Sequence, residues 1–139
     1  MALCYFHQLM RGAHSVGFIK THPVNIGRTI YQTDDLLFQT LLNKEDPKES
    51  RIVDQRLLVM VAIGILNRKF NLEEFLIAVI GQKWRFKRAV EIGETLSVNY
   101  EIHENANSKR FIYDIKIEVT TIDETVAEGV WQIMLNKKL

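Results

Sequence analysis

Ten consecutive apolar residues, Leu57 to Leu66, sit in the middle of this chain. The run is shorter than the roughly 18–20 residues needed to cross a bilayer. A helix that is apolar all round must be covered on every side, so the run predicts a buried helix. Asp54 is placed to cap it, with Gln55 and Arg56 in its first turn. Asn67-Arg68-Lys69 closes it with cations at the negative pole of the helix dipole. Ala62 and Gly64 allow close approach of whatever covers it.

The covering layer is legible downstream, where the period changes to two. Leu76 to Ile80 reads as a buried apolar run, and Trp84 and Phe86 alternate with Arg85 and Lys87. Leu96, Val98, Tyr100 and Ile102 share one face of a second segment. Phe111, Tyr113, Ile115, Ile117 and Val119 alternate with more polar neighbours in a third, and Trp131, Ile133 and Leu135 align within Val126–Leu135. Such alternation gives each strand one core face and one polar face, as in an antiparallel sheet. Gly93-Glu94, Glu104 to Lys109 and Ile122-Asp123-Glu124 supply the turns of a meander of about four strands.

Upstream, His22-Pro23 sets an extended start, and Val24 to Gln32 reads as a short strand with a turn at Gly27. Thr33 is placed to cap a helix whose first turn carries Asp34 and Asp35. Leu37, Leu41 and Phe38, Leu42 form its apolar stripe, and it ends near Asn43, ahead of Pro47. Asn71 to Glu74 predicts one more short turn. The expected architecture is α+β: a curved antiparallel β-sheet wrapped around a long central apolar helix, the hotdog arrangement. With no repeat or linker, residues 1–139 read as one domain, and 1–22 as a poorly defined lead-in.

Charge and composition remove several functions. With 18 basic and 17 acidic residues the net charge is +1, which gives no electrostatic case for nucleic acid or an anionic membrane. A single cysteine, Cys4, cannot form an internal disulfide, which fits a reduced, cytoplasmic setting. The four histidines never take ligand spacing on one helix face, so no metal site is expected. Residues before Asp34 lack acids but include Arg11, Lys20 and Arg28, so organelle targeting is the alternative to a plain lead-in.

Three stretches taken together resemble the MaoC-like dehydratases, a hotdog family. They are Ile26-Gly27-Arg28-Thr29-Ile30 leading into Thr33 to Phe38, Ile52-Val53 leading into the apolar helix, and Trp84 to Leu96. In the last, Ala89 stands for the family's proline and Glu94 for its aspartate. The resemblance covers about Val24 to Leu135. It implies an acyl thioester substrate, carried on coenzyme A or an acyl carrier protein, and no other cofactor. It also implies addition or removal of water across the neighbouring double bond by an Asp and a His. The thioester oxygen would be steadied at the N-terminus of the central helix, and the substrate would lie between the subunits of a homodimer.

The family's catalytic motif resembles Asp-x-Asn-Pro-x-His. Here it reads Lys44-Glu45-Asp46-Pro47-Lys48-Glu49, so the proline matches while Lys44 and Glu49 replace the acid and the base. Asp46 and Glu49 are the candidate catalytic residues, against the simpler reading of a solvated Asp-Pro turn. Asp54 and Gln55, where the family commonly has a glycine nearby, are the candidate substrate-binding pair, and the simpler reading of Asp54 is an N-cap. Lys83, Arg85, Lys87 and Arg88 could meet coenzyme A phosphates or an acidic carrier. The leading reading is a divergent MaoC-like acyl-thioester hydratase or dehydratase; the alternatives are a hotdog thioesterase and a non-catalytic acyl-thioester-binding or partner subunit. Either Asp46 or Glu49 in a closed apolar tunnel beside the N-terminus of the 54–66 helix would favour an enzyme. Both in solvent would favour the non-catalytic reading.

Overall fold

The computed structural model describes residues 16–69, 72–105, 108–122 and 124–139, with the side chains of 16–26 and of residue 73 outside the description. The elements are β1 (Val16–Thr29), α1 (Gln32–Leu41), α2 (Gln55–Lys69), a 3-10 turn (Leu72–Glu74), β2 (Leu76–Phe86), β3 (Thr95–Asn105), β4 (Phe111–Thr121) and β5 (Glu124–Leu135). All strand pairs are antiparallel, and the sheet order is β1-β3-β4-β5-β2. This is the expected α+β hotdog fold, with α2, 15 residues long, against β1 and β3.

The alternation read from the strands holds where it matters. Leu96, Val98, Tyr100 and Ile102 of β3 are buried, as are Tyr113, Ile115, Ile117 and Val119 of β4, and Trp131, Ile133 and Leu135 of β5. They meet Leu57, Leu58, Val61, Ala62, Ile65 and Leu66 of α2 in one core. A fully buried side chain of this size contributes about 1.5–3 kcal/mol, so this contact fixes the helix against the sheet.

Four expectations are corrected. The first strand is longer than Val24–Gln32: it begins at Val16 and pairs with β3, so residues 16–22 belong to the sheet. Where a turn was expected at Gly27, the strand carries an irregularity between Val24 and Arg28 instead. A Cβ at Gly27 would lie 3.1 Å from Thr95 Cγ2, so the glycine serves close strand approach. The earlier part of the lead-in, with Cys4 and Arg11, lies outside the described residues.

The second correction concerns α1. Tyr31, not Thr33, is its N-cap residue, and Asp34 turns back so that its Oδ2 accepts the Tyr31 N–H at 2.9 Å. The third is the meander. Only β3-β4-β5 follow one another; β2 crosses to the far edge and pairs with β5. Among the described residues its other side has no partner strand, and Ile77, Val79 and Ile80, expected to be buried, are exposed.

The fourth concerns α2. Its apolar circumference is not covered everywhere, since Met60 is 54% exposed and Gly64 is also open. Residues 60 and 64 are one turn apart, so the gap is a stripe. Leu37 and Leu41 of α1 are exposed beside it, at 63% and 66%. Sequence periodicity had assigned both to the stripe that α1 buries, but only Phe38 of that set is fully buried.

Candidate functional site

The loop between the helices is held, not free. Gln39, buried on α1, donates its side-chain N–H to the Lys48 carbonyl at 2.8 Å and accepts the Lys48 N–H at 3.0 Å. Its Nε2 also donates to the buried Asp35 at 2.7 Å. Further on, Val53 N–H donates to the Val90 carbonyl at 2.8 Å and Ile92 N–H to the Arg51 carbonyl at 2.9 Å. The chain thus enters α2 on fixed rails, which sequence reading missed because both partners are distant in sequence and of ordinary type.

Asp46 and Glu49 stand on either side of the Lys48 clamp, and both are exposed. Neither has an ion pair or hydrogen bond among the described residues. Asp54 is tied down. Its Oδ1 accepts the Arg56 backbone N–H at 2.9 Å and the Arg56 Nε–H at 3.1 Å, while its Oδ2 accepts Nη2 at 2.8 Å. These bonds, above all that from the guanidinium, hold its carboxyl below the usual range. The bond from the Arg56 backbone N–H is that of a helix cap. Gln55, the other expected binding residue, is exposed on the first turn of α2. The Arg56 guanidinium also lies over the Phe38 ring, 5.8 Å from its centroid, tying α1 to the start of α2.

The open stripe of α2 and the exposed side of α1 together form a groove of about 260 Å³. Its lining is mainly apolar, including Leu37 and Leu41 from α1 and Leu57, Met60 and Val61 from α2. Three charged residues, Arg28, Asp34 and Arg68, also line it. A concave apolar surface with few polar groups suits an aliphatic ligand. The α2 stripe was visible in sequence only as part of an all-apolar helix; the fold selects which face stays open.

The basic strand is largely committed to structure. Lys87 Nζ lies 2.8 Å from Oε1 of Glu128, which is 1% exposed. Arg88 pairs with Glu94 at 2.7 Å and Glu124 at 2.9 Å. Lys83 and Arg85 remain exposed on the edge strand β2. His103, given no role from sequence, lies 3.2 Å from Glu101. Among the described residues no group of His, Cys, Asp and Glu is arranged to hold a metal ion.

Solved structures share this architecture. A monoamine oxidase regulatory protein from Archaeoglobus superposes with a TM-score of 0.71 at 21% identity, over 90% of this chain and 94% of that one. The (R)-hydratase from A. caviae involved in PHA biosynthesis gives 0.65 at 16% identity, over 88% and 97%. The HadBC (3R-hydroxyacyl-ACP dehydratase) complex from Mycobacterium tuberculosis gives 0.69 at 14% identity, over 88% and 98%. No protein-family model matches the chain, and no curated protein matches it in sequence. The structural neighbours include hotdog dehydratases and hydratases of the MaoC-like kind and a probable thioesterase, and the chain has their fold.

Proposed function

We propose that this chain is an acyl-thioester-binding hotdog subunit that takes the acyl chain in the groove between α1 and α2 and does not itself add or remove water. The observation that carries this reading is at the N-terminus of α2. In a MaoC-like hydratase that helix end would steady the thioester oxygen. Here the Asp54 carboxylate occupies the Arg56 N–H and the Arg56 guanidinium closes over it. One donor of that helix end is thereby taken, and the ion pair stands where the thioester oxygen would approach it. The exposure of Asp46 and Glu49 agrees, since an acid–base pair works best in a water-excluded site.

The ligand would be a thioester of coenzyme A or of an acyl carrier protein, with no further cofactor. The partner would be a second copy or a related hotdog chain, added along the unpaired edge of β2 through Ile77, Val79 and Ile80. An exposed apolar edge strand is a template for another strand. No helix among the described residues is long and apolar enough to cross a membrane.

One observation favours the hydratase reading as an alternative. The Gln39 clamp holds the loop bearing Asp46 and Glu49 in one place, so a partner subunit closing over it would find both carboxylates positioned. A paired measurement decides. Calorimetry with acyl-CoA of several chain lengths is expected to show binding, and incubation with 2-enoyl-CoA is expected to show no hydration above buffer. Turnover that falls in D46N or E49Q establishes the enzyme. Thiol release from acyl-CoA that depends on the same carboxylates would establish a thioesterase.

A further inference from the structure

The groove has an apolar length and one exposed cation, Arg68, in the last turn of α2, whose side chain has no ion-pair partner among the described residues. Both oxygens of Asp34 are engaged: Oδ1 accepts Arg28 Nη2 at 2.8 Å and Oδ2 accepts the Tyr31 N–H at 2.9 Å. Arg28 is thereby neutralised. Arg68 lines the same groove, and among the described residues it makes no ion pair or hydrogen bond. The groove therefore carries a net positive charge located on Arg68.

That charge sits at one end. The α2 stripe runs from Leu57 through Met60 and Gly64 to Arg68. Eleven residue steps of a helix cover about 17 Å, the reach of an extended alkyl chain of roughly a dozen carbons. At Gly64, halfway along, a Cβ would have nothing within 4 Å, so the floor there is open backbone. Met60 beside it is unbranched and can adapt to a chain lying across it. An ordinary acyl tail would leave that guanidinium to solvent and the helix dipole. A tail ending in a carboxylate would supply a counter-charge in bidentate geometry.

We propose that the groove takes an acyl thioester whose chain carries a carboxylate at its far end, with Arg68 as counter-ion. This rests on the groove being the acyl site and names the class of acyl group. The charge complementarity at Arg68 selects this occupant over an unsubstituted chain or the apolar face of a second copy.

The test compares dodecanedioyl-CoA with dodecanoyl-CoA by calorimetry at low salt. The dicarboxylic thioester is expected to bind about five-fold more tightly, as befits a partly exposed ion pair. The preference should vanish in Arg68→Gln, persist in part in Arg68→Lys, and shrink at high salt. Gly64→Leu, which fills the open floor and favours helix, should weaken both ligands. Equal binding of the two thioesters, unchanged in Arg68→Gln, overturns the proposal while leaving acyl-thioester binding in place. Binding of free dodecanoate with the same Arg68 dependence, without preference between the thioesters, also overturns it in favour of a free fatty acid. If neither thioester binds and Gly64→Leu alters only self-association, the groove is a contact between copies and both readings fall.

Discussion

Adding one methyl group at Gly129 should destabilise the whole sheet edge. Gly129 on β5 faces Trp84 on β2 across the strand pair. A Cβ there would lie 2.6, 2.7 and 2.8 Å from Trp84 Cε3, Cδ2 and Cζ3. Carbon atoms prefer about 3.5–4.0 Å, so the ring must retreat by about 1 Å or swing out. Trp84 is not free to do either at no cost, because its Nε1–H donates to Gln82 Oε1 at 3.0 Å and its ring packs against the core. Overpacking of this kind costs about 1–3 kcal/mol, and the flat face of an indole over several contacts puts G129A near 2 kcal/mol. For a domain of this size that lowers Tm by about 8 °C. Urea unfolding followed by tryptophan fluorescence measures it directly, with Trp84 and Trp131 as the two reporters. The double variant G129A/W84A should be less destabilised than the sum of the single changes, because the clash is gone. If G129A unfolds within about 0.5 kcal/mol of the parent chain, or if the double variant is merely additive, the glycine is not there for the ring.

Three further outcomes follow from the site and its frame. Gln39→Leu leaves the Lys48 N–H and carbonyl and the Asp35 carboxylate without their partner; we expect a loss of about 2–3 kcal/mol, with faster amide hydrogen exchange at residues 44–50 than elsewhere. Glu94 is held below the usual carboxylate range, chiefly by the Arg88 guanidinium, and Asp54 likewise by Arg56. Their depressed folded values mean stability that is present above the unfolded value of about 4 and is lost as pH falls through the folded one. Acid unfolding of Arg88→Gln should therefore be shallower below pH 4 than that of the parent chain. On the proposed pairing of subunits through β2, Val79→Lys puts a charge on an edge that has no partner strand among the described residues; sedimentation should then show a smaller species with an unchanged circular dichroism spectrum, and unchanged sedimentation would remove that edge as the contact.

Local pattern carried most of the fold. The period-two segments of β3, β4 and β5 need one buried face, and only Leu57–Leu66 is apolar enough to lie against it. Asp54 as a cap was equally legible, because a cap acts within a single turn. Three decisions belonged to the tertiary structure. Sequence could not place β2, since Leu76 to Ile80 is apolar whether it fills a core or awaits a partner strand. Nor could it divide the circumference of α2 between Leu57 and Leu66 into a packed side and an open one, because every residue of that stretch is apolar or small. The clamp from Gln39 to Lys48 was out of reach, as an amide reveals its partner only when the chain brings it there. The sequence, through its periodicity, determined that a sheet and a helix must bury each other. Chain crossing and sheet order, which depend on contacts far apart in sequence, decided which apolar surface was left over, and that remainder is the groove and the edge on which function is proposed.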